Sequence, residues 1–349
     1  MSRSLILAAV GLTSALFADV AAAQAEPVKV FVLAGQSNME GKAQNKLWEH
    51  QAVDAKTAAF FAPFRDDDNQ QWVVRDDVWI KFFGRKGPLT LGFGSKGRTG
   101  LEYAFGVHVG DRLDAPVLLV KTAWGGRSIR KDFRPPSSGL PSDAFLEKEL
   151  ADAVKRTENN NKKRNRADAL PTRAQIEAGY GRDYRLMIEE VRATMQKSGE
   201  LFPELKGRDL ELAGFVWFQG WNDQYGGAEL EYEQNLRNFI GDVRKDLDAP
   251  ELPFVIGVMG QNGAGEAKGA MLAIQKAQTA VTDMRGVVAV HTDKLEDEAA
   301  AKLYPEWKQR FEEWERTGSD HRYHYLGSAI WFSRIGFALA DALLPMVKK

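Results

Sequence analysis

Apolar residues in this chain cluster in five short, uninterrupted runs. The runs are rich in Val, Ile, Leu and Phe, and they lack the alternation of polar and apolar residues that marks a strand with one wet face. This pattern predicts parallel strands that are buried on both faces. The predicted strands lie at 28–34, 117–120, 214–218, 253–259 and 287–290.

Between these runs, apolar residues recur every three or four positions, which is the spacing of a helix with one buried face. Such stripes occupy 184–198 and 232–247, and helices are also predicted over 102–113 and 327–347. Strands and helices therefore alternate along the chain. This order predicts an α/β fold with an open sheet covered on both faces.

One stretch, 151–176, breaks the pattern because it is polar, basic and poor in aliphatic residues. We expect a solvated helix or a surface insertion here. A role in binding a charged polysaccharide is the alternative.

The composition narrows the classes of function. The chain has 349 residues, of which 44% are hydrophobic, so it can bury a large core. Its formal net charge of −1 gives no reason to expect nucleic acid or an anionic membrane as a partner. The sequence contains no cysteine, which excludes thiol catalysis and thiolate metal ligands.

The first 25 residues have the layout of a signal peptide. Arg3 provides a positive start, 5–17 is an apolar run, and Ala23-Gln24-Ala25 is a small-residue cleavage site. We expect cleavage after Ala25 or Ala23 and a secreted or periplasmic protein. The remaining residues, 26–349, are expected to form a single domain.

Three of the predicted strands are followed by loops of glycine, amide and hydroxyl residues. "GQSN" follows the first strand, "KTAWGGRS" the second and "QGWND" the third. Ligands of open α/β sheets gather outside the carboxyl ends of the strands, so these loops predict one polar pocket. The candidates for substrate binding in this pocket are Gln36, Trp124, Gln219 and Trp221.

Ser37 lies just beyond the first strand and is a candidate nucleophile, which needs a base to activate its hydroxyl. His324 comes immediately before the last predicted helix, where a loop can reach back over the sheet edge, and His291 follows the fifth strand and could reach the same edge. Asp320 is close enough in sequence to orient the ring of His324. A metal site made of Asp320, His321 and His324 is an alternative that lacks further ligands to complete it.

Acyl transfer also needs hydrogen-bond donors for the oxyanion that forms on the attacked carbonyl. The candidates are the backbone N–H groups of Ser37 and Gly126 and the side-chain amide of Asn222. The Gly125-Gly126 pair could also suggest a phosphate-binding loop, but the Walker pattern is absent.

These motifs resemble those of the SGNH hydrolase superfamily, and "GQSNMEG" is most similar to its sialate O-acetylesterase-like branch, which includes acetylxylan esterases. "AWGGRSI" and "VWFQGWND" resemble two further blocks of that branch. The resemblance implies a flavodoxin-like three-layer sandwich around a central, mainly five-stranded parallel sheet, with no metal or organic cofactor. It also implies Ser37 as nucleophile, His324 as base, and Ser37, Gly126 and Asn222 as the oxyanion hole.

The sequence departs from the superfamily at the acid. The usual spacing is Asp-x-x-His, whereas three residues separate Asp320 from His324. Either the loop bulges by one residue so that Asp320 still reaches the ring, or the acid comes from elsewhere, or a backbone carbonyl orients the imidazole.

The expected function is a serine esterase that removes O-acetyl groups from carbohydrates through an acetyl-enzyme intermediate. The acetylated partner would be a polysaccharide, an oligosaccharide or a sialic acid. The alternatives are a lipase or thioesterase built on the same site, or a carbohydrate-binding protein without catalysis.

Overall fold

A seven-stranded sheet forms the centre of the protein in a computed structural model, which describes residues 26–66, 68 and 70–347. The predicted signal peptide lies outside the described residues. In spatial order the strands run β4-β3-β6-β1-β7-β8-β9. Neighbouring strands of this sheet are parallel, except that the edge strand β4 pairs antiparallel with β3. β2 and β5 form a separate two-stranded antiparallel sheet. The strands are β1 (Val28–Gly35), β2 (Ala43–Gln44), β3 (Val78–Phe82), β4 (Arg85–Pro88), β5 (Arg98–Thr99), β6 (Val117–Ala123), β7 (Leu210–Phe218), β8 (Phe254–Val258) and β9 (Val287–His291).

Helices cover both faces of the sheet and supply most of the connections between its parallel strands. In the described residues they are α1 (Ser37–Glu40), α2 (Asn45–Val53), α3 (Ala58–Phe61), α4 (Leu101–Gly110), α5 (Asp143–Arg164), α6 (Arg173–Gly179), α7 (Arg182–Gln196), α8 (Ser198–Leu201), α9 (Tyr232–Asp246), α10 (Gly269–Ala280), α11 (Glu298–Leu303), α12 (Phe311–Trp314) and α13 (Ala329–Leu343).

The central strand β1 explains why its sequence is a continuous apolar run. All eight of its residues are buried. Phe31 and Leu33 pack into the core shared with α4 and α13, whereas Val30 and Val32 pack into the core shared with α7, α9 and α10. Both faces of the sheet are therefore dry, as in other parallel sheets. The predicted α/β three-layer fold is confirmed.

The segment Ala329–Met346, which begins with α13, is long and apolar enough to cross a membrane. More than half of this segment, 56%, is buried inside the protein. α13 packs along α4 and against β8 and β9. It is therefore a core helix of the sandwich.

The predicted strand count of five has to be corrected to seven. The five predicted strands are present, but the hairpin of β3 and β4 extends the sheet beyond β6. Lys81 interrupts the apolar run of β3, and β4 is a polar edge strand with three exposed residues. An edge strand needs no apolar face, so hydrophobic patterning does not reveal it.

The basic stretch at 151–176 forms the second half of α5 and the first part of α6. The two helices enclose a small core of their own, made by Leu146, Ala153, Ile176 and Tyr180. Arg173 links them through an ion pair to Asp143 at 2.7 Å. Most residues of the stretch are helical and exposed, as expected of a solvated helix, whereas its status as an insertion and the alternative of polysaccharide binding stay predictions.

A buried ion pair supports the carboxyl end of β6. Lys121 and Glu102 are fully buried, and Lys121 Nζ lies 2.8 Å from Glu102 Oε2. Lys121 also donates to the carbonyl oxygens of Glu40 and Phe93, both at 2.9 Å. Because Glu40 ends α1, the lysine ties the helix that begins with Ser37 to the sheet.

Replacing Glu102 by glutamine should therefore destabilise the protein strongly, because it leaves the Lys121 ammonium buried without a counter-charge. We expect a loss of about 3–5 kcal/mol in the free energy of unfolding, measured by urea denaturation.

Glu233→Gln is the matched control, since Glu233 pairs with Arg237 on the surface of α9 and is 47% exposed. It should cost less than about 1 kcal/mol. Equal, small losses in the free energy of unfolding for the two variants would show that the buried ion pair does not stabilise the protein as expected.

Candidate active site

Ser37 lies at the sharp turn between β1 and α1. β1 ends at Gly35, where a Cβ atom would lie 2.2 Å from the carbonyl oxygen of Phe218 in β7. Glycine is thus required here by the close approach of a neighbouring backbone. Gln36 precedes α1, and Ser37 is its first residue. The turn places the serine at the carboxyl edge of the sheet, with 6% of the residue exposed.

His324 is carried by a turn with an unusual backbone. The next three residues, Tyr325, Leu326 and Gly327, have φ angles of 52°, 59° and 55°. Left-handed conformations at residues other than glycine cost about 1–3 kcal/mol each and are found where the surrounding structure imposes them. The turn brings His324 Nε2 to 3.1 Å from Ser37 Oγ, across 287 positions of sequence.

Tyr325 anchors this turn to the sheet. Its side chain is fully buried, and its hydroxyl accepts a hydrogen bond from the Gly260 N–H at 2.9 Å and lies 2.8 Å from Thr292 Oγ1. Both partners follow carboxyl ends of strands, those of β8 and β9. On the other side, the Asn38 amide donates to the Tyr323 carbonyl at 3.1 Å. The turn is therefore fixed against both α1 and the sheet edge.

Asp320 reaches the imidazole despite its unusual spacing. Its Oδ1 lies 3.2 Å from His324 Nδ1, although the two groups are not aligned for a linear hydrogen bond. Oδ1 also accepts from the His321 N–H at 2.7 Å, and Oδ2 lies 2.5 Å from an Arg98 nitrogen. Of the three alternatives left by the sequence, the arrangement matches a bulged loop that still presents Asp320.

The charges around Asp320 keep it ionised. Burial opposes ionisation, but the adjacent His324 ring, the hydrogen bond from the His321 N–H and the Arg98 guanidinium outweigh it and lower the pKa of Asp320 to about 2. The three side chains thus have the order of a serine, a base and an orienting acid.

A chain of amide hydrogen bonds orients Asn222. Gln36 donates through Nε2 to Asn222 Oδ1 at 3.2 Å, and Gln36 Oε1 accepts from the Gly220 N–H at 3.2 Å and from Gln219 Nε2 at 3.3 Å. Because the oxygen of Asn222 is engaged, its NH₂ group is the end that remains to donate to a ligand. Gln36 and Gln219 are 2% and 3% exposed. Their direct contact with substrate stays a prediction.

Asp223 joins two of the loops at the candidate site. It is fully buried and accepts from the backbone N–H groups of Ile129 and Arg130, both at 3.0 Å, and from Gln219 Nε2 at 2.6 Å. Burial raises the pKa of Asp223 to about 6, although these three donors favour its ionised form. The residue thereby ties the loop after β6 to the loop after β7.

The glycines after β6 lie beside Ser37. A Cβ atom on Gly125 would be 3.9 Å from Ser37 Cβ, and Gly126, with a φ of 72°, has no atom within 4 Å of its Cβ position. The backbone at Gly126 is therefore open to a ligand. Trp124, two residues before Gly126, packs on Phe83 and Phe133 at centroid distances of 4.9 and 5.7 Å.

Trp221 and Tyr323 form an aromatic pair beside the histidine. Their ring centroids are 5.9 Å apart, and the Tyr323 ring meets the His324 ring edge to face at 4.5 Å. Tyr323 is 40% exposed.

His291, the other candidate base, instead pairs with Asp293 at 3.5 Å and is half exposed.

Sequence reasoning missed the supporting residues of the site. Asp223 was visible as the last residue of the "GWND" motif, but its buried role depends on the partner loop at Ile129 and Arg130. Arg98 and Tyr325 carry no local signal, because they act through contacts with residues far away in sequence.

Two substitutions test the amide network. Asn222→Ala should lower kcat for 4-nitrophenyl acetate by about 10²–10³-fold, the usual cost of removing an oxyanion donor. Asp223→Asn should lower kcat by about 10-fold or more, since an amide offers one acceptor oxygen where the carboxylate offers two.

Asp242→Asn is the matched control, because Asp242 also accepts from a backbone N–H, that of Ser137, but at the exposed surface. It should keep wild-type kcat. A normal kcat in Asp223→Asn would mean that the network does not hold Asn222.

Comparisons with known proteins identify a family for this chain. The family model for "carbohydrate esterase, sialic acid-specific acetylesterase" matches residues 27–170 and 172–303. No match is found among the curated proteins. Among solved structures, the chain is similar to a protein from Arabidopsis thaliana, with a TM-score of 0.51, 17% identity, and coverage of 92% of this chain and 99% of that one. This likeness concerns the fold.

Two further solved structures are titled as a novel carbohydrate acetylesterase from Xanthomonas citri and as NanS. The first has a TM-score of 0.43, 14% identity, and coverage of 77% of this chain and 51% of that one. The second has a TM-score of 0.40, 14% identity, and coverage of 76% and 78%. The family match, which spans well over half of the residues, places this chain in the carbohydrate esterase family of sialic acid-specific acetylesterases, a family of carboxylic ester hydrolases.

Proposed function

We propose that the protein is a serine esterase that removes O-acetyl groups from carbohydrates through an acetyl-enzyme intermediate. The observation that carries the proposal is the 3.1 Å contact between Ser37 Oγ and His324 Nε2, with Asp320 at the far side of the ring. The family match ends at residue 303, so it does not include His324 or Asp320. Their roles rest on geometry.

In the first half-reaction, Ser37 Oγ attacks the acetyl carbonyl carbon while His324 Nε2 takes the hydroxyl proton. The oxyanion of the tetrahedral intermediate accepts hydrogen bonds from the Ser37 and Gly126 N–H groups and from the Asn222 amide. The bond from the acetyl carbon to the sugar oxygen then breaks. His324 returns its proton to that oxygen, and the deacetylated sugar leaves.

In the second half-reaction, His324 takes a proton from water, and the resulting hydroxide attacks the acetyl carbon on Ser37. The bond from the acetyl carbon to Ser37 Oγ breaks, His324 returns the proton to Ser37 Oγ, and the product leaves as acetic acid, which loses its proton to the solvent. Asp320 stabilises the imidazolium that forms in both halves. With its pKa near 2, it is ionised throughout the neutral range.

The family supplies the substrate class, an acetylated carbohydrate. Trp221 and Trp124 flank the proposed oxyanion donors and could provide apolar faces for a sugar ring. The predicted signal peptide further supports an exported enzyme, secreted or periplasmic, that meets its substrate outside the cytoplasm.

Ser37→Ala tests the nucleophile. The variant should lose hydrolysis of 4-nitrophenyl acetate by at least about 10³-fold in kcat/KM, with little change in Tm, because no other hydroxyl lies against His324 Nε2 in the described residues. A fluorophosphonate should label the wild type at Ser37, as read by mass spectrometry of the labelled peptide.

Ser137→Ala serves as the control, since Ser137 is an exposed serine bonded to Asp242. It should keep both activity and labelling. A Ser37→Ala enzyme with most of its activity would remove the nucleophile assignment. An inert wild type that nevertheless binds polysaccharide would favour a carbohydrate-binding protein without catalysis.

A lipase or thioesterase on the same site should prefer long acyl chains. Ser37 is flanked in sequence by the amides Gln36 and Asn38 and lies beside Gly125, and these groups offer little apolar surface to a long acyl chain. We therefore expect kcat/KM for 4-nitrophenyl acetate to exceed that for the octanoate by at least about tenfold. An apolar groove would add about 0.8 kcal/mol per buried methylene and reverse this order.

A further inference from the structure

A second cavity lies behind the proposed acid and takes no part in the mechanism. It has a volume of about 180 Å³ and is bordered by Asp320 and His321 on one side and by the segment from Tyr304 to Trp314 on the other. This segment contains α12. The cavity is open to solvent along Phe311, which is 52% exposed.

Aromatic rings form much of the cavity wall. Tyr304, Trp307, Phe311 and Trp314 line it. Trp314 is buried and packs against Tyr304 and Trp307 at centroid distances of 5.4 and 6.4 Å. Trp314 thus supports two rings that are themselves only partly buried, and Phe311 adds an exposed ring at the rim.

The aromatic wall continues to the catalytic centre. Trp307 meets the His321 ring edge to face at 6.1 Å, and His321 stacks on Tyr323 at 5.3 Å. Tyr323 then contacts both His324, at 4.5 Å, and Trp221, at 5.9 Å. An unbroken series of rings therefore leads from the cavity to the proposed base and to the residue beside Asn222.

The polar groups of the cavity carry balanced charge. Lys46 and Glu315 form an ion pair at 3.5 Å with exposed fractions of 60% and 40%, and Arg98 pairs with Asp320 at 2.5 Å. Two cations thus face two carboxylates. This lining offers hydrogen-bond donors and acceptors to hydroxyl groups without favouring a charged ligand.

We propose that this cavity is a second sugar subsite, which binds an unmodified, neutral pyranose or furanose residue of the glycan whose acetylated residue lies at Ser37. The proposal rests on the proposed function. A sugar ring has apolar C–H faces and a rim of hydroxyls, which matches a wall of aromatic faces with polar groups at its border. The volume lies below the ~300 Å³ lower end for drug-sized ligands, so it suits one ring. The enzyme is thereby specialised for oligosaccharide or polysaccharide chains.

The test compares O-acetylated saccharides of one and four residues from xylan, mannan and glucan backbones. With wild-type enzyme, kcat/KM for acetate release should rise about tenfold or more from one to four residues on at least one backbone. The unacetylated tetrasaccharide of that backbone should inhibit competitively, whereas its monosaccharide should not. Equal kcat/KM for both lengths on all three backbones would overturn the subsite.

Phe311→Ala tests the assignment to this cavity, because Phe311 is exposed and its loss should not unfold the protein. In Phe311→Ala, the ratio of kcat/KM for the four-residue saccharide to kcat/KM for the one-residue saccharide should fall at least about fivefold. Phe311→Trp, which keeps an aromatic ring, should keep the wild-type ratio. Leu186→Ala, which truncates a 36% exposed apolar side chain on α7, should leave the ratio and the hydrolysis of 4-nitrophenyl acetate unchanged. A wild-type ratio in Phe311→Ala would place the length preference elsewhere.

The two proposals fail in different ways. If Ser37→Ala retains hydrolysis of 4-nitrophenyl acetate, the proposed function fails. If the wild type hydrolyses acetates through Ser37 but shows no dependence on saccharide length, only the subsite fails.

Discussion

The site depends on one constrained turn. Tyr325 buries its hydroxyl between Gly260 and Thr292, at the carboxyl ends of β8 and β9, while its own backbone lies in the left-handed region. Burial raises the pKa of Tyr325, so the hydroxyl stays neutral and keeps its two hydrogen bonds. The local cost of this conformation is offset by burial of the ring and by these bonds. Without the turn, the imidazole of His324 would have no fixed position relative to Ser37.

The same principle applies on the other side of Ser37. Asp223, Gln219 and Gln36 form a buried series of hydrogen bonds that ends at Asn222. In surroundings from which water is excluded, such a series holds its last member in place before any ligand arrives. Preorganised donors are effective because they need no reorganisation when charge develops on the substrate. The buried Lys121 adds a further restraint by bonding the last carbonyl of α1.

The family match covers only one part of the proposed site. The matched residues contain Ser37, Gly126 and Asn222, and they end at residue 303. The proposed base, the proposed acid and much of the aromatic cavity wall lie in the segment after that point. The proposed oxyanion donors therefore lie in the part of the chain that matches the family. The segment after residue 303 contributes both the proposed proton transfer and the surface that we assign to a second sugar residue.

The sequence by itself determined the α/β class, five of the seven strands of the main sheet and the loops that carry Ser37, Gly126 and Asn222. These follow from local features, because the burial of a strand and the chemistry of the loop after it are both written in consecutive residues. Only the tertiary structure decided the edge hairpin of β3 and β4 and the contact of Asp320 with His324 across three intervening residues. It also decided the hydrogen bonds by which Asp223 joins the loops after β6 and β7. Each depends on a pairing between distant segments or on backbone angles in a single turn. Hydrophobic periodicity records how deeply each residue is buried, but not which distant residue it meets.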